Sequence, residues 1–165
     1  DHIIPSQLGA VMPVLEQGGC EFRYNKTELI MKAPEKLNPM GIIRTMPYPG
    51  FPTDAQAPFM ALACFACGTT IFIENIFESR FKHVGELLRM GASIKVEGKI
   101  AVVQGVKSLW GAPTEAMDLR GAAALMAAAL GAEGTTELSG VNYLERGYEE
   151  PEVVLSALGA DIKKI

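Results

Sequence analysis

GTTIFIENIFESRFKHVGELLRMGA at residues 68–92 and GTTELSGVNYLERGYEEPEVVLSALGA at residues 134–160 are the two stretches that decide the fold. Both begin with Gly-Thr-Thr and end with Gly-Ala, and each carries an arginine at the same place, Arg80 and Arg146. Self-similarity at a spacing of about 66 residues indicates repeated structural units. We predict units over approximately 1–46, 47–112 and 113–165, of which the first is a partial copy.

The two full copies are predicted to share their secondary structure. The elements expected in each copy are an apolar helix (54–67; 118–131), a strand (69–74; 135–140), an amphipathic helix (81–90; 149–158) and a second strand (92–97; 160–164). A return strand at 100–104 follows in the first copy, and the N-terminal part supplies a helix at 6–17 and a hairpin of strands 20–24 and 28–32. The first helix of each copy is apolar on nearly all sides, which is typical of a buried helix. The predicted fold class is therefore α/β (α+β), with helices inside and sheets outside.

Composition restricts the function. The chain has 165 residues, 48% of them hydrophobic, and a net charge of −4; this suits one domain with a sizeable core. The acidic balance argues against nucleic-acid and anionic-membrane partners, which need a basic face. The uncharged run at 55–73 is interrupted by Pro58 and Gly68, so we expect a helix and a strand there and no membrane span. Because the sequence begins at Asp1 without an initiator methionine, we expect it to be a fragment of a longer protein or one with trimmed ends.

No cofactor or metal is expected. The sequence contains neither a GxGxxG segment after a strand nor a GxxxxGK[ST] segment, so dinucleotide and P-loop chemistry have no support. Three cysteines indicate a reducing, cytoplasmic setting without disulfides. Cys64 and Cys67 are interpreted as two small buried residues, because no second Cys or His pair could complete a zinc site.

One candidate for chemistry is Asp54, which follows a stretch rich in proline, Pro47-Tyr48-Pro49-Gly50-Phe51-Pro52. This stretch is predicted to be a stiff, extended lead into a helix. Thr53 and Asp54 stand where that helix begins, so one of them could simply cap it. The alternative is a carboxylate held by a rigid loop beside a cleft, where it takes a proton from a reacting group.

The repeat adds further charged candidates. Asp118 opens the matching helix, where it could be a cap with Arg120 in solvent. Arg80 and Arg146 occupy equivalent loops, and converging guanidinium groups can bind phosphate or carboxylate. The alternative for each is a surface ion pair with the glutamate in its own loop. His83 and Glu86 lie three residues apart, and two ligands do not make a metal site, so we interpret them as surface or packing residues.

Five segments of the chain resemble the UDP-N-acetylglucosamine enolpyruvyl transferases. They are PYPGFPTDAQ (47–56), the stretch at 68–92, MDLRGAAALMAAAL (117–130), LERGYEE (144–150) and LGADI (158–162). The resemblance implies one of two inside-out α/β domains with a threefold pseudo-repeat. It also implies transfer of the enolpyruvyl group of phosphoenolpyruvate to the sugar 3-hydroxyl with release of phosphate, in cytoplasmic peptidoglycan synthesis. The partner domain, with its reactive-cysteine loop, is not in this sequence, so the chain alone is expected to be inactive.

The same resemblance implies roles for individual residues. Asp54 matches the proton acceptor and Ile76 a residue that contacts the sugar nucleotide. Arg120 and Arg146 match arginines that hold phosphoenolpyruvate, while Arg80 and Asp118 match polar residues lining the cleft. Ser79 stands where the family usually has asparagine, and Tyr143-Leu144 where it often has His-Ile. Two alternatives therefore stay open: an enzyme with another acceptor alcohol, or a non-catalytic binding module that keeps the fold.

Overall fold

Two buried helices from equivalent places in the repeat form the centre of the computed structural model, which describes residues 3–165. Helix α2 spans Thr53–Ala63 and helix α4 spans Leu119–Gly131. Their second residues, Asp54 and Arg120, are 66 positions apart, as the repeat predicts. Small side chains on both helices are buried, and α2 and α4 pack against each other more extensively than any other pair of elements in the described chain. The prediction of two buried helices is confirmed.

The remaining helices are short. They are α1 (Met12–Gln17), α3 (Val84–Arg89), α5 (Pro151–Ala157) and two 3₁₀ helices (Pro5–Leu8 and Val141–Arg146).

The strands of residues 3–165 form three sheets. They are β1 (Glu21–Tyr24), β2 (Leu29–Lys32), β3 (Ile42–Arg44), β4 (Thr69–Ile73), β5 (Ser93–Glu97), β6 (Ile100–Gln104), β7 (Pro113–Glu115) and β8 (Glu137–Ser139). Strands β1 and β2 are an antiparallel hairpin, the four-stranded sheet has the order β3-β4-β6-β5, and β7 pairs with β8. Strand β3 runs parallel to β4, and β7 runs parallel to β8. Each parallel pair is joined through a buried helix, so β3–α2–β4 and β7–α4–β8 are two copies of one βαβ unit.

The main sheet buries one face against the helices. In β6 the side chains of Ala101 and Val103 are buried, whereas Ile100, Val102 and Gln104 are exposed. This alternation is typical of a sheet with one face on the core. Phe72 of β4 is fully buried, as is Met60 of α2. The sheets thus lie outside the buried helices, as predicted.

Several predicted boundaries are wrong. The helix expected over 54–67 ends at Ala63, because the chain turns there and the Cys67 amide donates to the Leu37 carbonyl oxygen (2.7 Å). Cys67 is consequently exposed, although Cys64 is buried. The helix expected over 6–17 is divided into a 3₁₀ turn and α1, since Pro13 lacks the N–H that a helix interior needs and occupies the first turn instead.

The second copy is also less regular than the first. The helices predicted at 81–90 and 149–158 are limited to α3 and α5, and the strand predicted at 135–140 is limited to β8. The strand predicted at 160–164 does not form. In the first copy β5 is paired only with β6, and residues 3–165 hold no equivalent return strand after 160 to pair with.

Gly105 marks the closest approach between the main sheet and the turn after α2. Its amide donates to the Gly68 carbonyl oxygen at 2.9 Å, and a Cβ built on it would overlap the Ala66 carbonyl oxygen. Gly85 in α3 is exposed, and a Cβ there would meet nothing within 4 Å.

We predict that Gly105→Ala lowers the free energy of unfolding by about 3 kcal/mol, because the added methyl group forces the backbone of two segments apart. The matched variant Gly85→Ala should change it by less than about 0.5 kcal/mol, because Gly85 is exposed in the first turn of α3 and the added methyl group meets no neighbour. Urea unfolding followed by circular dichroism measures both. Equal effects of the two substitutions would contradict the close approach at Gly105.

Candidate functional site

Asp54, the second residue of α2, accepts hydrogen bonds from two arginines. Arg120 Nε donates to Asp54 Oδ1 (2.8 Å) and Arg120 Nη2 to Asp54 Oδ2 (2.7 Å), while Arg80 Nη2 donates to Oδ1 (3.0 Å). The Arg120 contact is bidentate, the geometry in which a guanidinium holds a carboxylate best. Because Arg120 comes from α4 and Arg80 from the turn after β4, the fold brings three distant segments to one point.

The hydrogen bonds from Arg120 lower the pKa of Asp54 below its ordinary value, and the charges of Arg120 and Arg80 act in the same direction. Partial burial opposes this shift, but more than half of the side chain, 58%, is exposed. Asp54 is therefore ionised at neutral pH and accessible from solvent, and an ionised carboxylate can accept a proton.

The capping alternative for Thr53 and Asp54 is wrong. The N-cap residue of α2 is Pro52, and no side chain caps the helix. The Thr53 hydroxyl donates instead to Glu74 Oε2 (3.0 Å). The stretch before the helix is also not extended. Met46 N donates to Phe51 O (3.0 Å), so the proline-rich residues between them form a closed turn.

Asp118 is the N-cap of α4, as one alternative predicted. Its Oδ1 accepts from the Gly121 amide at 2.8 Å. The companion expectation, Arg120 free in solvent, is wrong, because that side chain is 34% exposed and bound to Asp54. The cap fixes the first turn of α4, from which Arg120 projects.

The arginines of the two repeated loops differ. The Arg80 side chain is 20% exposed, and its guanidinium carbon lies 4.8 Å from the centre of the Phe77 ring. Its ion partner is Asp54, so the alternative of an ion pair with Glu78 is wrong. Arg146 is exposed at the end of the 3₁₀ helix Val141–Arg146 and is not hydrogen-bonded to Asp54. The neighbouring Glu145 pairs with Lys164 and not with Arg146.

Although Arg146 is outside the ion-pair cluster, its segment packs against the start of α4. A Cβ on Gly147 would come within 3.0 Å of the Leu119 side chain, and Leu119 precedes Arg120. Asp54, Arg80 and Arg120 are therefore joined directly by hydrogen bonds. The segment that follows Arg146 instead contacts the N-terminus of α4, the helix that carries Arg120.

A surface pocket of about 270 Å³ adjoins Asp54. It is lined by Met46, Pro47, Tyr48, Pro52, Thr53, Asp54 and Ile76. Ile76 is 36% exposed there, and Tyr48 is 92% exposed at the closed turn. Ile76 and Asp54, which were predicted separately, thus line the same pocket.

Sequence reasoning missed Glu74 and Thr45, both almost completely buried beside this pocket. The available signal was a single glutamate directly after the apolar strand TTIFI. His83 and Glu86 are packing residues, both buried. Within residues 3–165, no group of three potential metal ligands is found, and no helix reaches the length and apolarity needed to cross a bilayer.

Comparisons with known proteins agree on one family. The model of the family described as EPSP synthase (3-phosphoshikimate 1-carboxyvinyltransferase) matches residues 2–155. Curated UDP-N-acetylglucosamine 1-carboxyvinyltransferases are similar to the chain. The one from Synechococcus sp. (strain CC9605) is 48% identical over 99% of the chain and 37% of its own length, and the one from Geobacter metallireducens is 49% identical over 96% and 38%. The chain therefore spans less than two fifths of these relatives.

Solved structures show the same fold. The enolpyruvyl transferase NikO from Streptomyces tendae superposes with a TM-score of 0.85 at 31% identity, over 94% of this chain and 36% of that one. EPSP synthase from Acinetobacter baumannii superposes with a TM-score of 0.66 at 17% identity, over 97% and 37%. The second likeness concerns the fold alone.

Because His83 is buried, the free energy of unfolding is expected to depend on pH. Burial lowers its pKa to about 4, and the charge of Asp118 opposes the shift while that of Arg80 adds to it. The unfolded chain binds a proton at this histidine near pH 6.5, whereas the folded chain does not. The contribution of the neutral His83 to the free energy of unfolding is therefore fully present above pH 6.5 and is lost as the pH falls towards 4.

We predict a loss of about 3 kcal/mol of unfolding free energy between pH 7 and pH 4 from this residue. His83→Leu should remove that part of the pH dependence, whereas His2→Ala, which removes the chain's other histidine, should keep it. Urea unfolding at several pH values is the measurement. An unchanged pH slope in His83→Leu would show that His83 is not buried in its neutral form.

Proposed function

The chain belongs to the family described as EPSP synthase (3-phosphoshikimate 1-carboxyvinyltransferase), and we propose that it is part of a UDP-N-acetylglucosamine 1-carboxyvinyltransferase. Such an enzyme transfers the enolpyruvyl group of phosphoenolpyruvate to the 3-hydroxyl of UDP-N-acetylglucosamine and releases phosphate. The observation that carries the proposal is the ionised Asp54, held by Arg80 and Arg120 at an open pocket. The identity of the curated relatives, close to one half, supports this acceptor over another alcohol.

Asp54 is proposed to take the proton of the sugar hydroxyl. An alcohol is a weak nucleophile, and a positioned carboxylate that accepts its proton makes the oxygen reactive. The methylene carbon of phosphoenolpyruvate takes up a proton as the oxygen forms a bond to the enol carbon. That methyl group then loses a proton, which restores the double bond as the bond from the enol carbon to the phosphate oxygen breaks and phosphate leaves. Ile76, which lines the same pocket, is proposed to contact the sugar nucleotide.

Arg120 is proposed to divide its hydrogen bonds between Asp54 and the anionic substrate. In the structure its guanidinium neutralises Asp54, which makes the carboxylate a poorer base. An incoming phosphate or carboxylate group competes for the same fork of donors. Asp54 then loses part of its stabilisation and becomes more basic when phosphoenolpyruvate is present.

The other site residues take supporting roles in this proposal. Arg146, exposed beside the start of α4, is proposed as a second arginine for phosphoenolpyruvate. Arg80 donates to Asp54 Oδ1, the oxygen that also accepts from Arg120 Nε. Asp118 is proposed to line the cleft, and its cap fixes the turn that carries Arg120.

The rest of the enzyme is proposed to complete the cleft. A pocket of about 270 Å³ is smaller than the sites that enclose most small ligands, and it has to hold a sugar nucleotide and a second substrate. A second domain that closes over it would exclude water and align the reactants. We place the enzyme in peptidoglycan synthesis in the cytoplasm, a reducing compartment that suits the free cysteines Cys20, Cys64 and Cys67.

Asp54→Asn tests the proton acceptor. In the full-length protein that carries this chain, we expect kcat to fall about 10²- to 10⁴-fold, because the amide cannot accept the hydroxyl proton. Phosphate release from phosphoenolpyruvate in the presence of UDP-N-acetylglucosamine is the assay. Asp161→Asn, at an exposed aspartate near the C-terminus, is the matched control. Near-normal turnover of Asp54→Asn would remove this residue from the mechanism, and no turnover by the unsubstituted protein would favour a non-catalytic module.

Arg120→Ala tests the anion site. We expect the KM for phosphoenolpyruvate to rise roughly 10- to 100-fold, the range for losing hydrogen bonds between charged groups, and the KM for the sugar nucleotide to change much less. Arg23→Ala, at an exposed arginine of β1, should change neither constant. Equal increases for both substrates would count against an anion-binding role of Arg120.

A further inference from the structure

Glu74 is a buried carboxylate at the point where three segments of the site meet. It follows β4 directly, and only 1% of its surface is exposed. Its Oε1 accepts from the Thr45 hydroxyl (2.8 Å) and from the amides of Ile76 (2.9 Å) and Phe77 (3.1 Å). Its Oε2 accepts from the Thr53 hydroxyl (3.0 Å). A buried carboxylate with four donors is satisfied without a cation.

Each donor belongs to a segment that carries part of the proposed site. Thr53 precedes Asp54 at the start of α2, and Ile76 lines the pocket. Phe77 supplies the ring on which the Arg80 guanidinium lies. Thr45 follows β3 and begins the closed turn that ends at Phe51.

From this arrangement we propose that Glu74 is the positioning residue of the site, which sets the place of Asp54 through Thr53 and that of Ile76 and Arg80 through the backbone of the turn. The inference rests on the proposed function, because it assigns Glu74 an effect on the reaction that Asp54 performs. Glu74 itself, buried behind these residues, does not touch the substrates.

The hydrogen-bond pattern explains why an acidic side chain fits this position. The Thr45 hydroxyl accepts from the Asn75 amide (2.8 Å), and it lies closer to Glu74 Oε1 (2.8 Å) than to its other acceptor, the Ile73 carbonyl oxygen (3.5 Å). Oε1 therefore faces two backbone amides, whose hydrogens cannot be turned away, and a hydroxyl for which Oε1 is the nearer acceptor. Oε2 faces only the Thr53 hydroxyl, which can rotate and either donate or accept.

This asymmetry predicts different results for two substitutions of Glu74. In Glu74→Gln the amide oxygen can replace Oε1 and the amide nitrogen can replace Oε2, donating to a rotated Thr53 hydroxyl. We expect kcat within about threefold of the unsubstituted enzyme. Glu74→Ala removes the shared acceptor of four donors, and kcat should fall at least about 100-fold, the cost of misplacing a catalytic group by an ångström.

Thr53→Val separates positioning from folding. It removes the contact between Glu74 and α2 and leaves the other three hydrogen bonds of Glu74 in place. Because Thr53 also lines the pocket, the two KM values report any lost contact with a substrate, whereas a fall of kcat alone reports misplacement of Asp54. In the full-length protein we expect kcat to fall about tenfold, with both KM values within about twofold and an unfolding temperature close to that of the unsubstituted protein. Thr69→Val is the matched control, because it removes an exposed hydroxyl that donates to Gln104 on the outer sheet. It should change none of these values.

The outcomes of the kinetic experiment are distinguishable. If the unsubstituted enzyme releases phosphate and Thr53→Val keeps its full kcat, the positioning role is wrong and the proposed function stands. The positioning role is also wrong if Glu74→Gln is as impaired as Glu74→Ala, or if Thr53→Val raises both KM values without lowering kcat. A Glu74→Ala protein that fails to fold leaves the decision to Thr53→Val and Glu74→Gln.

If the unsubstituted protein does not turn over, the proposed function fails, and an NMR titration of the Asp54 carboxyl group still decides the inference. Loss of the Thr53 contact should weaken the hydrogen bonds that Asp54 accepts from Arg80 and Arg120. The pKa of Asp54 should therefore be higher in Thr53→Val than in Thr69→Val. An unchanged pKa in Thr53→Val would overturn the control of Asp54 by Glu74.

Discussion

The ion pair between Asp54 and Arg120 joins the two copies of the repeat at their equivalent positions. Each residue is the second of a buried helix, and both oxygens of the carboxylate are bound by the guanidinium. A carboxylate at the first turn of α2 is favoured by the positive end of that helix. A guanidinium at the first turn of α4 is not, but the carboxylates of Asp54 and the cap residue Asp118 offset the unfavourable charge. The close packing of α2 on α4 then determines where these two side chains meet.

Duplication explains why the carboxylate of Asp54 and the guanidinium of Arg120 lie side by side. The same βαβ unit, used twice, directs the N-termini of two buried helices to a common surface, and a different residue type at the equivalent position gives each copy its own role. The buried Glu74 ties the first copy together behind this surface, where Thr45, Thr53 and the turn after β4 converge on it. The residues that face the solvent can therefore be charged and half-exposed without losing their geometry.

The same arrangement leaves the site open to solvent. Arg146 and the pocket beside Asp54 are open to solvent, and the chain spans less than two fifths of the length of its curated relatives. Electrostatic interactions in an open cleft are screened by water and strengthen when water is excluded. In the proposed function, the carboxylate and the arginines form one half of a cleft that a second domain covers.

The sequence alone was sufficient to predict the repeat and the two apolar helices, because periodicity and residue type are local properties of a chain. It was also sufficient for strands β1, β2, β4, β5 and β6 and for the candidate residues Asp54, Arg80 and Arg120.

Tertiary structure decided what the local pattern leaves open. Thr53 and Asp54 look like helix caps in sequence, but their side chains are taken by Glu74 and Arg120, which lie 21 and 66 positions away. The repeat predicts a strand at 160–164, but within residues 3–165 no neighbouring strand pairs with this segment. Glu74 looked like the end of a strand, and only the folding of three segments around it made it a buried acceptor. Hydrogen-bond partners far apart in sequence are determined by packing, and for that reason the site's connections could be seen only in the folded chain.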